Sequence, residues 1–237
     1  MLEIKDFSFS YDNKKKAVDS LSLSVNAGEI VGFIGHNGAG KTTTIRAITG
    51  VLAFNNGQII IDGHDVKAET IAAKKITSYV PDNPDLYEFM TGAQFVNFIC
   101  DVYEMDRLAR AGALSELSGA FELTDNLGDL IGSYSHGMKQ KLALIAALIH
   151  DPKLLVLDEP FVGLDPKAAH TAKEMMRKCC KRGSAVFFST HVLDVAEKLC
   201  DKIAIIKGGK LVAFGSTESV KGDLSLEDVF LELINDA

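Results

Sequence analysis

Ile30-Val31-Gly32-Phe33-Ile34-Gly35-His36-Asn37-Gly38-Ala39-Gly40-Lys41-Thr42 runs from a near-continuous apolar stretch into the pattern G-x-x-x-x-G-K-T. The apolar run suits a central strand buried on both faces. Beyond it, the glycines let backbone N–H groups converge on phosphate oxygens in a geometry that a Cβ obstructs. A helix predicted over 43–49 aims its N-terminus, about half a positive charge, at the same point. On this reading Lys41 reaches the β- and γ-phosphates of ATP and the Thr42 hydroxyl ligates Mg²⁺. Gly35, Asn37, Gly38, Ala39, Gly40 and Thr43 complete the cradle. A glycine-rich turn that binds nothing is the competing reading, and strand, loop, Lys-Thr and helix in that order argue against it.

Outward from this segment the chain alternates elements. Residues 2–11 show strand periodicity with a slip near Lys5-Asp6, and Leu21, Leu23 and Val25 alternate with serines in a second strand. Gln58–Ile61, followed by Asp62-Gly63, predicts a strand and turn at a sheet edge. From Gly92 to about Gly128 no strand-like run occurs, and the spacing predicts helices over 93–105 and 107–121. The order then becomes helix 138–150, strand 154–157, helix 167–181, strand 185–189, helix 192–200 and strand 202–206. Gly208-Gly209 fits a hairpin into 211–214, and an amphipathic helix over 226–233 follows. Alternating strands and helices argue an α/β fold, a P-loop NTPase core with a parallel sheet. An N-terminal antiparallel β subdomain and a helical subdomain are attached to it. The expected division is 1–91 and 138–237 for core and β subdomain, and 92–137 for the helical lobe, all within one domain.

Leu154–Leu157 runs into Asp158-Glu159, placing two carboxylates at the carboxyl end of the sheet, where α/β folds bind ligands. Alone, such a pair reads equally as a solvated strand end or a helix cap. Beside a phosphate loop, Asp158 suits the metal and Glu159 suits a general base that polarises water. Thr190-His191 ends another strand; a lone His there is ordinarily structural, but next to a γ-phosphate an imidazole can hold phosphate and water in line.

The 237 residues are 47% hydrophobic and 24% charged, enough for a full core. A net charge of −7 without a Lys/Arg-dense run disfavours a nucleic-acid partner. The start, MLEIKDFSFS, carries no basic-then-apolar signal, and no apolar run approaches the roughly 20 residues needed to cross a bilayer. Cys100, Cys179, Cys180 and Cys200 form no C-x-x-C pair and read as reduced, mostly buried thiols. The chain is thus expected to be soluble and intracellular.

Taken together and in order, these segments resemble the nucleotide-binding subunit of an ATP-binding cassette (ABC) transporter over nearly the whole chain. Tyr11 stands where that family places the aromatic that stacks on adenine, with Phe9 as a fallback. Tyr79-Val80-Pro81-Asp82 looks like the loop that normally carries glutamine, and the resemblance makes Asp82 a metal ligand. Tyr134-Ser135-His136-Gly137-Met138 is similar to the signature L-S-G-G-Q. Val162-Gly163-Leu164-Asp165 looks like the loop linking the two sites of a dimer, and His191 matches the switch histidine. The resemblance implies that Ser135 and Gly137, preceding the helix predicted from Met138, cap the γ-phosphate held by a second subunit. It also implies a homodimer or heterodimer of cassettes that sandwiches ATP and Mg²⁺, a separate transmembrane permease, and a place on the inner face of the cell membrane. There are two departures. Asp82 replaces glutamine and adds charge without a donor, and His136 and Met138 replace a glycine and a glutamine. The form Ser135–Gln140 resembles bacterial export-type subunits. A soluble ABC ATPase of repair, translation or cofactor assembly is the alternative; the chain shows neither long coiled coils nor a second cassette with basic linkers.

Overall fold

A left-handed residue interrupts the first strand. β1 (Leu2–Ser10) alternates as far as Ile4; Asp6 then takes φ +48°, and the register against β2 (Lys16–Val25) shifts before Phe7. This bulge returns Phe7 to the buried face and is the slip that the sequence predicts near Lys5-Asp6. The computed structural model describes residues 1–12 and 15–235. β2 leads into β3 (Ile30–Ile34), buried at every position, and the phosphate loop carries the chain into α1 (Lys41–Ile48). β4 (Asn56–Ile61) and β5 (His64–Asp65) complete an antiparallel sheet of order β2-β1-β4-β5. Gln58–Ile61 is therefore not the edge expected of it, because the two-residue β5 stands outside it.

α2 (Thr70–Lys75) and β6 (Thr77–Val80) come next, and periodicity announces neither of them. α2 buries only Ala73, and β6 is four residues long. α3 (Gly92–Val102) opens on a capping box between Thr91 and Gln94, and α4 (Arg107–Ala120) opens on Asp106. Two 3₁₀ turns at 124–126 and 131–133 lead to α5 (His136–Leu148). The rest alternates through β7 (Leu154–Asp158), α6 (Pro166–Lys181), β8 (Ala185–Thr190), α7 (Leu193–Leu199), β9 (Lys202–Lys207) and β10 (Lys210–Ser216). α8 (Thr217–Lys221) and α9 (Leu226–Asn235) follow.

The second sheet has the order β10-β9-β3-β8-β7-β6, parallel except for β10. Side chains alternate across it, which separates two cores. Ile34, Leu155, Leu157, Val186 and Phe188 pack against α3–α7. Val31, Phe33, Val156 and Phe187 face α1 and the antiparallel sheet. Among the described residues no helix is long and apolar enough to cross a membrane. All four cysteines are buried and free; burial pushes the Cys180 thiol up to about 12 and Cys200 higher still, which keeps both protonated and unreactive.

His150, just beyond α5, gives the fold a pH dependence. Its ring stacks on Tyr103 at 3.5 Å, and its Nε2 lies 2.5 Å from the Ser78 hydroxyl. Burial pushes the imidazole down from 6.5 to about 4. The folded state thus holds His150 neutral where the unfolded chain binds a proton. Its contribution is complete above pH 6.5 and is lost as the pH falls towards 4, amounting to about 3 kcal/mol over that interval. Urea unfolding of wild type and His150→Phe at pH 7.5 and 4.5 reads this out: the wild type is expected to lose more stability than the variant, and parallel losses overturn the assignment.

Candidate active site

The carboxyl ends of three parallel strands meet at one level. Ile34 of β3 pairs with Thr190 of β8, and Asp158 of β7 pairs with Ser189. The phosphate loop therefore emerges beside the two acidic residues, with β8 between them, at a position where open α/β sheets bind ligands. Gly40 takes φ +111°, and a Cβ there would stand 2.5 Å from the Ala17 carbonyl; one at Gly35 would stand 2.6 Å from that of Ile206. Both ends of the loop are thus closed to any side chain. The loop borders a cleft of about 170 Å³ walled by His36–Gly38, Gly40–Thr43, Asp82, Asp158 and Glu159.

Within the cleft Lys41 donates to the carbonyls of Gly35 at 2.5 Å and His36 at 3.4 Å, and its Nζ lies 3.9 Å from Glu159. Burial pushes its ammonium below the ordinary lysine range, and Glu159, Asp158 and Asp82 oppose that shift without cancelling it. Thr42 donates its hydroxyl to Asp158 at 2.9 Å, and Ser189 donates to the other Asp158 oxygen. Asp158 is 2% exposed and these hydroxyls are its hydrogen-bond donors. Glu159 adopts φ +48°, and its N–H is held by the Ser189 hydroxyl at 3.0 Å. Glu159 is on the cleft wall, and its Oε2 meets Nδ1 of His191, which stands outside that wall, at 3.0 Å.

Thr42 and Asp158 offer hard oxygens on one spot, a donor set that fits Mg²⁺. Among the described residues no three His, Cys, Asp or Glu gather as a metal centre of their own. A Mg²⁺ ion held here would need further oxygens from phosphate and water. Asp82 is on the cleft wall with the other two carboxylates.

Other predicted residues fall elsewhere. Tyr11 is 64% exposed; its hydroxyl lies 3.2 Å from that of Thr43, and its ring meets Phe9 edge-on at 4.9 Å. Ser135 and Gly137 are not on the walls of the cleft. They also do not precede a helix beginning at Met138: α5 starts at His136, Ser135 is its N-cap accepting from the Met138 N–H at 3.3 Å, and Gly137 lies in the first turn. The cap residue sets that boundary. A Cβ on Gly137 would approach the Gly163 carbonyl to 2.8 Å, so this turn packs directly on the loop Val162–Asp165. Sequence reasoning passed over Ser189, whose hydroxyl serves both Asp158 and Glu159. A buried serine following the apolar run Ala185–Phe188 at the sheet end is the available signal.

Comparison with known proteins agrees with this geometry. The family model described as ABC transporter matches residues 18–162. The ABC transporter ATP-binding protein NatA of Bacillus subtilis is 33% identical over 233 residues, covering 97% of this chain and 95% of that protein. A solved ATP-binding subunit of an ABC transporter superposes with a TM-score of 0.95 at 32% identity, covering 98% and 99% of the two chains. A dimeric cassette, MJ0796, in a post-hydrolysis state with ADP and Pi, shares the fold at a TM-score of 0.82 and 22% identity, covering 92% of this chain and 99% of that one. The fold is thus that of an ABC ATPase, and the chain belongs to the ABC transporter family as one of its ATP-binding subunits.

Proposed function

We propose that this subunit hydrolyses ATP to drive a separate membrane permease, in the export direction. The observation that carries the hydrolytic half is the convergence of Lys41, Thr42, Asp158 and Glu159 on one cleft, with His191 against Glu159 from outside its wall. Lys41 and the N–H groups of Gly35, Asn37, Gly38, Ala39, Gly40 and Thr43 bind the β- and γ-phosphates. Thr42, Asp158 and Asp82 would hold a Mg²⁺ ion, which would supply neutralisation of the phosphate charge. Glu159 orients a water and takes its proton as the water oxygen attacks the γ-phosphorus; ADP leaves, and inorganic phosphate remains. His191 donates to Glu159 and holds it on that line, and Tyr11 stacks on the adenine.

Ser135 and Gly137 lie outside the cleft, at the N-terminus of a 13-residue helix. In our reading they complete the site of a second cassette, so that two chains enclose two ATP molecules and closure is the working step. The same reading divides the chain into 1–91 with 138–237 as core and β subdomain, and 92–137 as a helical subdomain.

The permease contact is assigned to the segment after Asp82. Tyr87 packs on Phe95 and Phe98 and stacks near Phe89, which is 78% exposed, beside a cleft of about 160 Å³ lined by Leu86, Ile99 and Tyr103. Exposed aromatics grouped over a recess are what a partner helix needs as anchors. Such a contact places the chain at the inner face of the cell membrane. A tagged chain recovered from detergent extract is expected to bring down an integral membrane protein, and Phe89→Arg is expected to reduce that recovery about tenfold with ATP binding intact. Recovery of soluble partners alone supports a cassette that acts without a permease.

A further inference from the structure

The base of the phosphate loop is pinned by close backbone packing, but its apex is not. The Gly209 N–H donates to the Ala39 carbonyl at 2.9 Å, whereas a Cβ on Gly38 would meet nothing within 4 Å. His36 is the first residue of this open stretch, and its ring lies against that of Phe230 at 5.1 Å with the planes tilted by 56°. Phe230 is 8% exposed and belongs to α9, nearly two hundred residues further along the chain. The other end of that helix is tied to α7, the helix that follows His191: Glu197 of α7 accepts from the Leu226 N–H at 3.0 Å and from Lys221 at 3.0 Å. Lys207, which leaves β9 next to the loop, donates to the Leu233 carbonyl at 3.0 Å. The helix therefore links the segment behind His191 to the start of the loop's open stretch.

We propose that α9 is a strap that pre-orders the phosphate loop through Phe230 and His36, so that ATP affinity depends on a residue that touches no part of the nucleotide. Phe230 is a positioning residue in this scheme. His36 and Asn37 line the cleft, and the backbone that carries the Asn37 N–H must be set before phosphate arrives if binding is not to lose free energy in ordering it. The proposal rests on the reading of Gly35–Thr42 as the nucleotide loop.

The test is a double-mutant cycle in the full chain, with ATP dissociation constants measured by calorimetry well below the melting temperature. Phe230→Ala and His36→Ala are each expected to weaken ATP about fivefold, the order of one lost aromatic contact, and the double variant no further. Leu117→Ala, equally buried in α4 and remote from the loop, is expected to lower the melting temperature with ATP affinity unchanged. If Phe230→Ala does not fold, Phe230→Leu takes its place in the cycle; His36 is exposed, so its variant is not at risk. Unchanged affinity in the Phe230 variant, or additive losses in the double variant, overturns the strap. Lys41→Ala is the separate control: if it binds ATP normally, the loop reading itself fails.

Discussion

Replacing Glu159 by Gln is expected to lower steady-state ATP turnover by roughly 10²- to 10⁴-fold, the range for loss of a general base. The substitution keeps shape and removes the carboxylate's basicity and charge. Gln fills the same volume, and the backbone at φ +48° is held by N–H donation to Ser189, which no side-chain change disturbs. His191 can still donate to an amide oxygen at the same distance, so the residue stays on the cleft wall. What disappears is the carboxylate that takes the proton from the attacking water. Binding moves the other way: one negative charge leaves the vicinity of the γ-phosphate, so ATP affinity is expected to hold or rise. Phosphate release measured with the membrane partner present, beside calorimetric binding of ATP, separates the two effects. Intact turnover sinks the assignment of Glu159 as base. Turnover and affinity lost together would instead make it part of the binding charge around Lys41.

Much of this site was legible in the chain because its parts are local. A phosphate loop needs strand, glycines, Lys-Thr and helix contiguous, and Ile30–Ile48 supplies them in one stretch. The acidic strand end Leu154–Glu159 is equally self-contained. The slip at Asp6 could be read from the break in alternation, and the structure resolves it as a bulge. What could not be read was non-local or short. The role of Ser189 arises only because β8 lies between β3 and β7 in register, a fact of strand order that no local pattern carries. α2 buries one residue and so has no apolar stripe to detect. The expected start of α5 at Met138 lies two residues late because His136 and Gly137 are poor helix formers; the Ser135 cap sets the boundary at His136. The contact of Phe230 with His36 joins residues 194 positions apart (230 − 36) and left no trace in composition or spacing.

Lys41→Ala is expected to cost ATP affinity about 10²-fold, the order of two charge-assisted hydrogen bonds, and to abolish turnover at cellular ATP concentrations. The side chain is buried at the first position of α1, and it donates to two of the loop's own carbonyls, Gly35 at 2.5 Å and His36 at 3.4 Å. Lys41 is therefore held in the cleft by groups that phosphate oxygens can replace, so little reorganisation is needed when ATP arrives. Burial already pushes its ammonium down, and the phosphates reverse that pressure by adding negative charge where Glu159, Asp158 and Asp82 only partly supply it. Free energy released on binding thus includes relief of a desolvated charge, which is why one lysine carries so large a share. Arg is not expected to rescue it, because a planar guanidinium fork does not reproduce the compact ammonium that donates to the Gly35 and His36 carbonyls. Loss of affinity with a melting temperature near wild type supports this account. A variant that melts early and still binds ATP would mean that Lys41 chiefly ties the loop together, and that backbone N–H groups alone hold the phosphates.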